Sequence, residues 1–419
     1  MKQQNIQIVV LGAGYAGMMA ALRLSGKTRK LGAEVVLVNG VDTFVQRPRL
    51  HQAATGQPVL QTPISEMLRG TRVQFLQGWV SAIHPATRCV TIKTAQRVEE
   101  LGYDYLVYAL GSAVDQDTVP GLREHAYVLD PRGSNASGAV LERLRAISQS
   151  GGQVVVVGGG ATGIEGATEI KGWFPNMHVS LVTDSKFGAF KGTRIERHFR
   201  EAFRKQDISI HEGCRVRAVE AGHVLADGER NTSGEKIPFD VCVWAGGFHA
   251  LPLAREAGFN VNERGQILVD PFGRSLSHPE VYAVGDASHP VEEPGVPLRM
   301  SLQTALTRGA HAADNITAHI RGKAQTPLSF AYYGQGIALG PDDAVGFLTY
   351  PADELIGPVM RGKAAVNMRN FFVWMIFYFL KLEQWMPGFF FWIGKGRYAQ
   401  AKRAGQITRA SNISETRYG

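Results

Sequence analysis

Two glycine-rich runs, Gly12-Ala13-Gly14-Tyr15-Ala16-Gly17 and Gly158-Gly159-Gly160-Ala161-Thr162-Gly163, carry the most specific chemical signal in this chain. In a G-x-G-x-x-G run the first glycine permits a tight turn and the second lets backbone approach a pyrophosphate. The third packs the following helix against the strand. The helix amino-terminus then meets the phosphates with free N–H groups and the positive end of its dipole. One such match is weak. Here each follows an apolar run, Ile6–Leu11 and Val154–Val157, and each precedes small residues able to start a helix. The pair predicts a protein that holds two dinucleotides at once.

The elements that must position these turns are legible around them. Strand Ile6–Leu11, a helix from Tyr15 to about Ser25 and strand Glu34–Val38 form one βαβ unit. An acid usually ends the second strand of such a unit and binds a ribose. That position is Asn39, with Asp42 close enough to substitute. Residues Val73 to Val98 alternate enough for antiparallel strands, and Tyr103–Ser112 reads as a buried strand ending at Gly111. After a polar link, 113–135, the second unit comprises a helix near Ser137–Ser148, strand Gln153–Val157, a helix from Thr162 and strand His178–Val182. Asp184 follows that strand and favours NADH over NADPH, because a carboxylate binds the ribose hydroxyls and repels a 2′-phosphate. It lies one residue late, with Lys186 nearby, so NADPH stays open. Val241–Trp244 closes on Gly246 and Gly247, and Val281–Val284 on Gly285-Asp286. Helical sequence then runs from about Met300 to Arg321, and Leu328–Tyr350 is strand-rich.

At 419 residues, with 44% apolar and 20% charged, the chain has material for two or three globular domains. Cys89, Cys214 and Cys242 lie far apart and form no C-x-x-C pair, which excludes a local dithiol motif and a cysteine zinc site. They read as packing residues. No Ser-His-Asp arrangement and no metal-ligand cluster is needed. Nothing at the amino-terminus resembles a signal peptide, so a cytoplasmic protein is expected.

The net charge of +8 belongs to the tail: from Arg361 onward there are ten Lys/Arg against Glu383 and Glu415, and the rest is balanced. Eleven aromatics fall between Phe371 and Trp392. The apolar run Phe371–Leu380 is too short to cross a bilayer, which takes about 20 residues. Pro387-Gly388 breaks the helix, Phe389–Ile393 starts a second apolar patch, and Lys395, Arg397, Lys402 and Arg403 follow. Aromatics beside cations on broken helices suit a peripheral membrane anchor. Packing against the first dinucleotide domain or a second copy in a homodimer is the alternative. No recognition motif accompanies the basic residues, so no nucleic-acid partner is expected.

Gly12–Gly17, Tyr103–Ser112, Gly158–Glu165 and Gly285-Asp286 together resemble the two-dinucleotide-binding flavoprotein superfamily over about residues 6–318. The resemblance implies an α/β fold of two interleaved Rossmann-like domains with a small α+β carboxyl-terminal region. Its domains are an FAD part at 1–117, an NAD(P)H part at 118–265, the second FAD part at 266–320 and an interface or membrane region at 321–419. It implies non-covalent FAD on the first fingerprint and NADH, or NADPH, on the second. Asp286 then contacts the flavin ribityl chain and Gly246 lies on the nicotinamide side. Within the superfamily the chain is similar to type II NADH dehydrogenases and their apoptosis-inducing-factor-like relatives, on Leu50–Gly56, Thr162-Gly163-Ile164-Glu165, Gln303 with Ala305, and the tail.

In those relatives the position of Glu165 faces the nicotinamide–flavin junction. The plainer reading is a carboxylate in the first helical turn, favoured by the dipole by about 0.3–1 kcal/mol. The type II quinone motif carries two glutamines, of which only Gln303 is present, Thr307 standing at the second with Arg308 beside it. Gln46-Arg47-Pro48-Arg49-Leu50 resembles the flavin-phosphate loop of ferredoxin and rubredoxin reductases, making Arg47 a candidate pyrophosphate contact. Arg47 and His51 are otherwise surface residues beside a loop, and His51 receives no catalytic part. The Phe-Trp-Ser-Asp-Gln run of those reductases is missing, which favours a quinone over an iron–sulfur protein as acceptor. The expected activity is hydride transfer from NADH to FAD and electron delivery to a membrane quinone without proton pumping, with the protein on the inner face of the membrane. A reductase of a soluble electron carrier and a slow redox-sensing binding protein are the alternatives.

Overall fold

A computed structural model describes residues 6–59, 61–131, 134–184, 193–228, 231–292, 298–349 and 355–395. Two five-stranded parallel sheets organise it. The first runs, edge to edge, Val281–Ala283, Tyr105–Tyr108, Ile6–Leu11, Ala33–Asn39, Val73–Gln77. The second runs Tyr127–Val128, Val241–Trp244, Gln153–Val157, His178–Thr183, Ile208–Glu212. In both sheets the fingerprint strand is central. Its side chains are covered on both faces, which is why Ile8–Leu11 and Val154–Val157 are unbroken apolar runs rather than alternating ones. The second sheet is built wholly from residues between two segments of the first, so the second domain is an insertion in the first.

The crossing points are themselves paired: Ser112–Val114 and Phe248–Ala250 form a two-stranded antiparallel ribbon between the units. The segment Val73–Val98 differs from expectation. Only Trp79–His84, Cys89–Lys93 and Val98–Gly102 form the antiparallel sheet, while Val73–Gln77 lies parallel to Ala33–Asn39. Gly78 separates the two uses, its N–H bonded to the Asn39 carbonyl at the end of the parallel ladder (2.9 Å).

The helices Tyr15–Lys27 and Ala161–Trp173 follow the two fingerprints, and helix Leu302–Ile320 packs along the first of them. The carboxyl-terminal region is an antiparallel sheet, Gly334–Ala338, Ala344–Thr349 and Leu355–Arg361, followed by the 24-residue helix Gly362–Trp385. Strand structure in Leu328–Tyr350 therefore begins only at Gly334. No helix among the described residues is long and apolar enough to cross a membrane. The helix stops at Trp385, just before Pro387-Gly388, as the sequence indicates. The apolar residues of the helix and of the segment after it divide. Ile376, Leu380, Phe390 and Trp392 enter the first core, whereas Phe371, Trp374, Tyr378, Phe389, Phe391 and above all Trp385 (79% exposed) face outward. Arg397, Lys402 and Arg403 lie outside the described residues.

Candidate active site

The two glycine turns are built alike. Gly12 and Gly158 have φ of +96° and +126°, a region that side chains avoid. Gly17 and Gly163 touch the turn itself: an added Cβ would stand 1.8 and 1.9 Å from the carbonyl oxygens of Gly12 and Gly158. The third glycine thus makes room for the first glycine's backbone rather than for the strand. Gly14 and Gly160 are the helix N-caps, and a Cβ on either would meet nothing within 4 Å. No side chain caps either helix and no acid occupies either first turn. The amide groups of both amino-termini are therefore available to an anion, which is what a dinucleotide pyrophosphate requires.

The ends of the second strands differ. Asn39 is folded into its own turn: its Oδ1 accepts from Ala13 N (3.0 Å) and its Nδ2 donates to Val41 O (2.8 Å). Asp42 accepts from the neighbouring Thr43 hydroxyl. Asp184, by contrast, is exposed and makes no hydrogen bond among the described residues. Lys186 lies outside them.

A cavity of about 920 Å³ brings much of the candidate set together. Its wall includes Gly158, Gly160, Asp184 and Gly246 of the second unit, Arg47, Asp286 and Glu165, and Gln303 with Met368, Phe372, Val373 and Ile376 of the carboxyl-terminal helix. Gly12, Gly14, Gly17, Asn39, Gly111, Gly163 and Gly285 are not in its wall. Gly14 is exposed outside it, Gly163 and Gly285 lie beneath it, and Gly111 turns the chain at φ +74° with open space around it.

Asp286 sits in the short turn Gly285–Ala287 and accepts a hydrogen bond from Ser112 Oγ (2.8 Å). Burial pushes its carboxyl up, while Ser112 and the guanidinium groups of Arg47 and Arg308 pull it back. Arg308 is buried and donates to the carbonyls of Gly285 (3.0 Å) and Ser288 (2.7 Å), clamping the turn that presents Asp286. The sequence marks Arg308 only as a charge in an otherwise apolar helix face. Arg47 approaches Asp130 at 3.8 Å and stays partly exposed to the cavity.

Glu165 belongs to the second helical turn, not the first, since the helix starts at Ala161. A dipole contribution is correspondingly small. Its Oε1 accepts from Ala338 N (3.0 Å) and Arg369 (3.1 Å), and its Oε2 lies 3.7 Å from His51 Nδ1. His51 is buried, contrary to a surface placement. Burial, helped by Arg369 and Arg49 and opposed by Glu165, lowers its pKa to about 4, so it is neutral at pH 7. Arg369 can only donate, so its 3.1 Å contact with His51 Nε2 makes that nitrogen the acceptor. The ring proton is then on Nδ1, toward Glu165. Neither Arg369 nor this use of His51 has a local sequence signature.

Gln303 donates through Nε2 to Gly334 O (2.7 Å), and its buried Oε1 has no protein partner. A buried acceptor left so is costly unless a ligand or water donates to it. Thr307 is buried in the helix. The three cysteines are free, and no group of His, Cys, Asp and Glu among the described residues could hold a metal.

Two Rossmann-like units sharing one cavity, each with a glycine turn opening on a bare helix terminus, define a two-dinucleotide oxidoreductase. The chain belongs to the pyridine nucleotide-disulphide oxidoreductase family, whose pattern it matches over residues 6–312. It is 26% identical over 383 residues to a demethylphylloquinone reductase of Synechocystis sp., covering 88% of this chain and 93% of that one. It is 25% identical over 396 residues to the type II NADH:quinone oxidoreductase of Staphylococcus aureus, covering 88% and 94%. In fold it is similar to a type II dehydrogenase of Plasmodium falciparum solved in complex with NADH, with a TM-score of 0.78 at 15% identity over 96% of this chain and 99% of that one. Family and fold imply a flavin and a pyridine nucleotide, and the open Gly14 and Gly160 termini fit the diphosphates of both.

Proposed function

We propose that this protein is an NADH:quinone oxidoreductase that uses non-covalent FAD and pumps no protons. The observation that carries the reading is that one cavity is lined by the second glycine turn, Glu165, Gln303 and apolar residues of the carboxyl-terminal helix. FAD, when bound, would supply the chemistry of accepting a hydride from the nicotinamide and passing two electrons on. The chain's own residues bind and orient. The Gly12–Gly17 turn and Arg47 take the flavin diphosphate, with Asp286 on its ribityl chain and Gly111 and Gly285 shaping the backbone beside it. The Gly158–Gly163 turn takes the NADH diphosphate, Asp184 its adenosine ribose, and Gly246 the nicotinamide side. Asn39 supports the first turn.

Quinone reduction by NADH consumes one proton beyond the hydride. Glu165, held by Arg369 and Ala338 N, is placed to orient the nicotinamide ribose or pass that proton to the reduced acceptor. Gln303, with its free buried oxygen, is positioned to accept a hydrogen bond from the quinol. The ribbon of Ser112–Val114 and Phe248–Ala250 supports domain limits near 117 and 265, the second FAD part running to about 320 and the interface region from there to 419.

The outward aromatics Phe371, Trp374, Tyr378, Trp385, Phe389 and Phe391, with Lys381 and Lys395 beside them, support a peripheral seat on the inner face of the membrane, where quinone partitions. Some of the same residues could instead be covered in a homodimer, which vesicle binding distinguishes. The test of function is an anaerobic NADH titration at the flavin band followed by a short-chain quinone. Bleaching with prompt reoxidation is expected. Bleaching without reoxidation overturns the quinone half and turns attention to a soluble carrier or a sensing role.

A further inference from the structure

At the nucleotide end of the cavity, strand His178–Thr183 runs parallel to Ile208–Glu212 with Thr183 opposite Glu212. Backbone pairing continues past both strand ends, where Cys214 N donates to Thr183 O (2.9 Å). The next residues on the two chains, Asp184 and Arg215, therefore leave the sheet side by side, and both line the cavity with Gly158–Gly160. Thr183 packs against Gly159, where even a Cβ would collide with its side chain, so the strand end that leads to Asp184 lies directly against the glycine turn.

The charge of Arg215 is not used by the described residues. Asp227 is its partner in the antiparallel register of Arg215–Glu220 with His223–Gly228, yet Asp227 is paired with Arg217. Arg215 itself is exposed and has no ion pair or hydrogen bond among the described residues. A solvated arginine on a strand edge is common, but this one stands at the rim where an adenosine ribose must lie if the second turn holds the diphosphate.

We propose that Arg215 selects the nucleotide: it binds the 2′-phosphate of NADPH, while Asp184 binds the free ribose hydroxyls of NADH, so the protein uses both. This rests on the second fingerprint being the nucleotide site. A carboxylate alone at this edge would repel a 2′-phosphate. A guanidinium beside it offers two parallel donors to phosphate oxygens, which a lysine ammonium cannot reproduce. The two side chains act as opposing weights on one discrimination, and removing either should tip it.

The experiment is the ratio of kcat/KM for NADPH to that for NADH in full-length holoprotein, with Arg215→Gln and Asp184→Asn, together with the dissociation constants of 2′,5′-ADP and 5′-ADP as binding probes. Arg215→Gln should lower the NADPH:NADH ratio by about tenfold, or about 1.4 kcal/mol. It should also abolish the preference for 2′,5′-ADP. Asp184→Asn should raise the ratio, and Arg215→Lys should recover part of it. General damage to the fold lowers both nucleotides together and leaves the ratios unchanged. Unchanged ratios in both assays, or a native protein that reduces its flavin with NADH but not NADPH, overturn the role of Arg215 alone. Reduction by neither nucleotide overturns the nucleotide-site reading and this proposal with it.

Discussion

The helices that follow the two fingerprints are each tied by an ion pair to the same carboxyl-terminal helix, and the two ties are opposite in kind. In the first, Arg23 (1% exposed) bonds Asp314 through Nε (2.8 Å) and Nη2 (2.9 Å), and its Nη1 bonds Glu383 (0% exposed, 3.2 Å) and Phe390 O (3.0 Å). Glu383 in turn accepts from Gly388 N and Phe390 N, so the aromatic segment after the helix is pinned to the first domain. The network is closed and borders no cavity wall. In the second tie, Glu165 and Arg369 both line the large cavity, and His51 completes the group. One plan of assembly thus yields a staple centred on the buried Arg23–Glu383 pair, and a candidate reaction group where the charges face a ligand space.

The glycines at the head of each helix give the sharpest break. A Cβ at Gly14 or Gly160 meets no protein atom within 4 Å, so valine at either is expected to leave the fold intact and act on what binds there. Gly14→Val should yield folded but colourless protein. Gly160→Val should yield yellow protein that NADH no longer bleaches, by visible spectra and anaerobic titration. Normal bleaching of the second variant would reverse the assignment of the two turns. At Gly17 and Gly163 even alanine meets a carbonyl below 2 Å, and unfolding is expected before any loss of binding is measurable.

Next in size is the staple. Arg23→Met leaves Glu383 buried without its cation while Asp314 keeps Lys27 and Lys395, a change that costs about 3–5 kcal/mol. Denaturant unfolding should show that loss, while quinone turnover per folded molecule stays near the native value. Turnover falling in step with Arg23 at unchanged stability would erase the distinction between the ties.

Glu165→Gln should do the reverse. The amide keeps an acceptor for Ala338 N and Arg369, so stability changes little, but it can neither relay a proton nor hold charge. Turnover with quinone should fall by about 10²-fold, the lower end for a positioned acid–base group. Stopped-flow traces should place the loss in reoxidation if the proton role holds, or in bleaching by NADH if the ribose role does.

The contrast between the ties also shows where sequence reading stops. The glycine turns, the strands Ile6–Leu11 and Gln153–Val157 and the helix after each are local patterns, and the chain folds as they indicate. Asn39 was legible as the residue at a ribose-binding position, but its closure of its own turn depends on an amide geometry that the type alone does not give. Glu165 stood out by its place after Gly163, yet its partners Arg369 and His51 come from distant segments with no shared spacing. Arg308 and Arg23 carry no local pattern that points to the carbonyl turn or the buried carboxylate opposite them. Long-range pairing leaves no period in the sequence, and that is where the chemistry of this site lies.

The smallest effect separates the ties along the pH axis. His51 has a folded pKa of about 4 against an ordinary 6.5. Between those values the unfolded chain binds a proton that the folded chain does not, so stability falls as pH drops from 6.5 toward 4 and is level above. In the staple, burial pushes Asp314 up, but Arg23 and Lys27 outweigh it and hold its pKa at about 2, against an ordinary 3.8. Its contribution is intact above 3.8 and is lost as pH falls from there toward 2. His51→Gln, which cannot titrate, should therefore flatten the stability profile between pH 6.5 and 4. His311, also depressed to about 4, keeps a residual slope in both proteins, so the difference between profiles is the quantity to measure. Parallel native and His51→Gln profiles across that window would mean that His51 exchanges protons with solvent in the folded protein and is not sealed against Arg369.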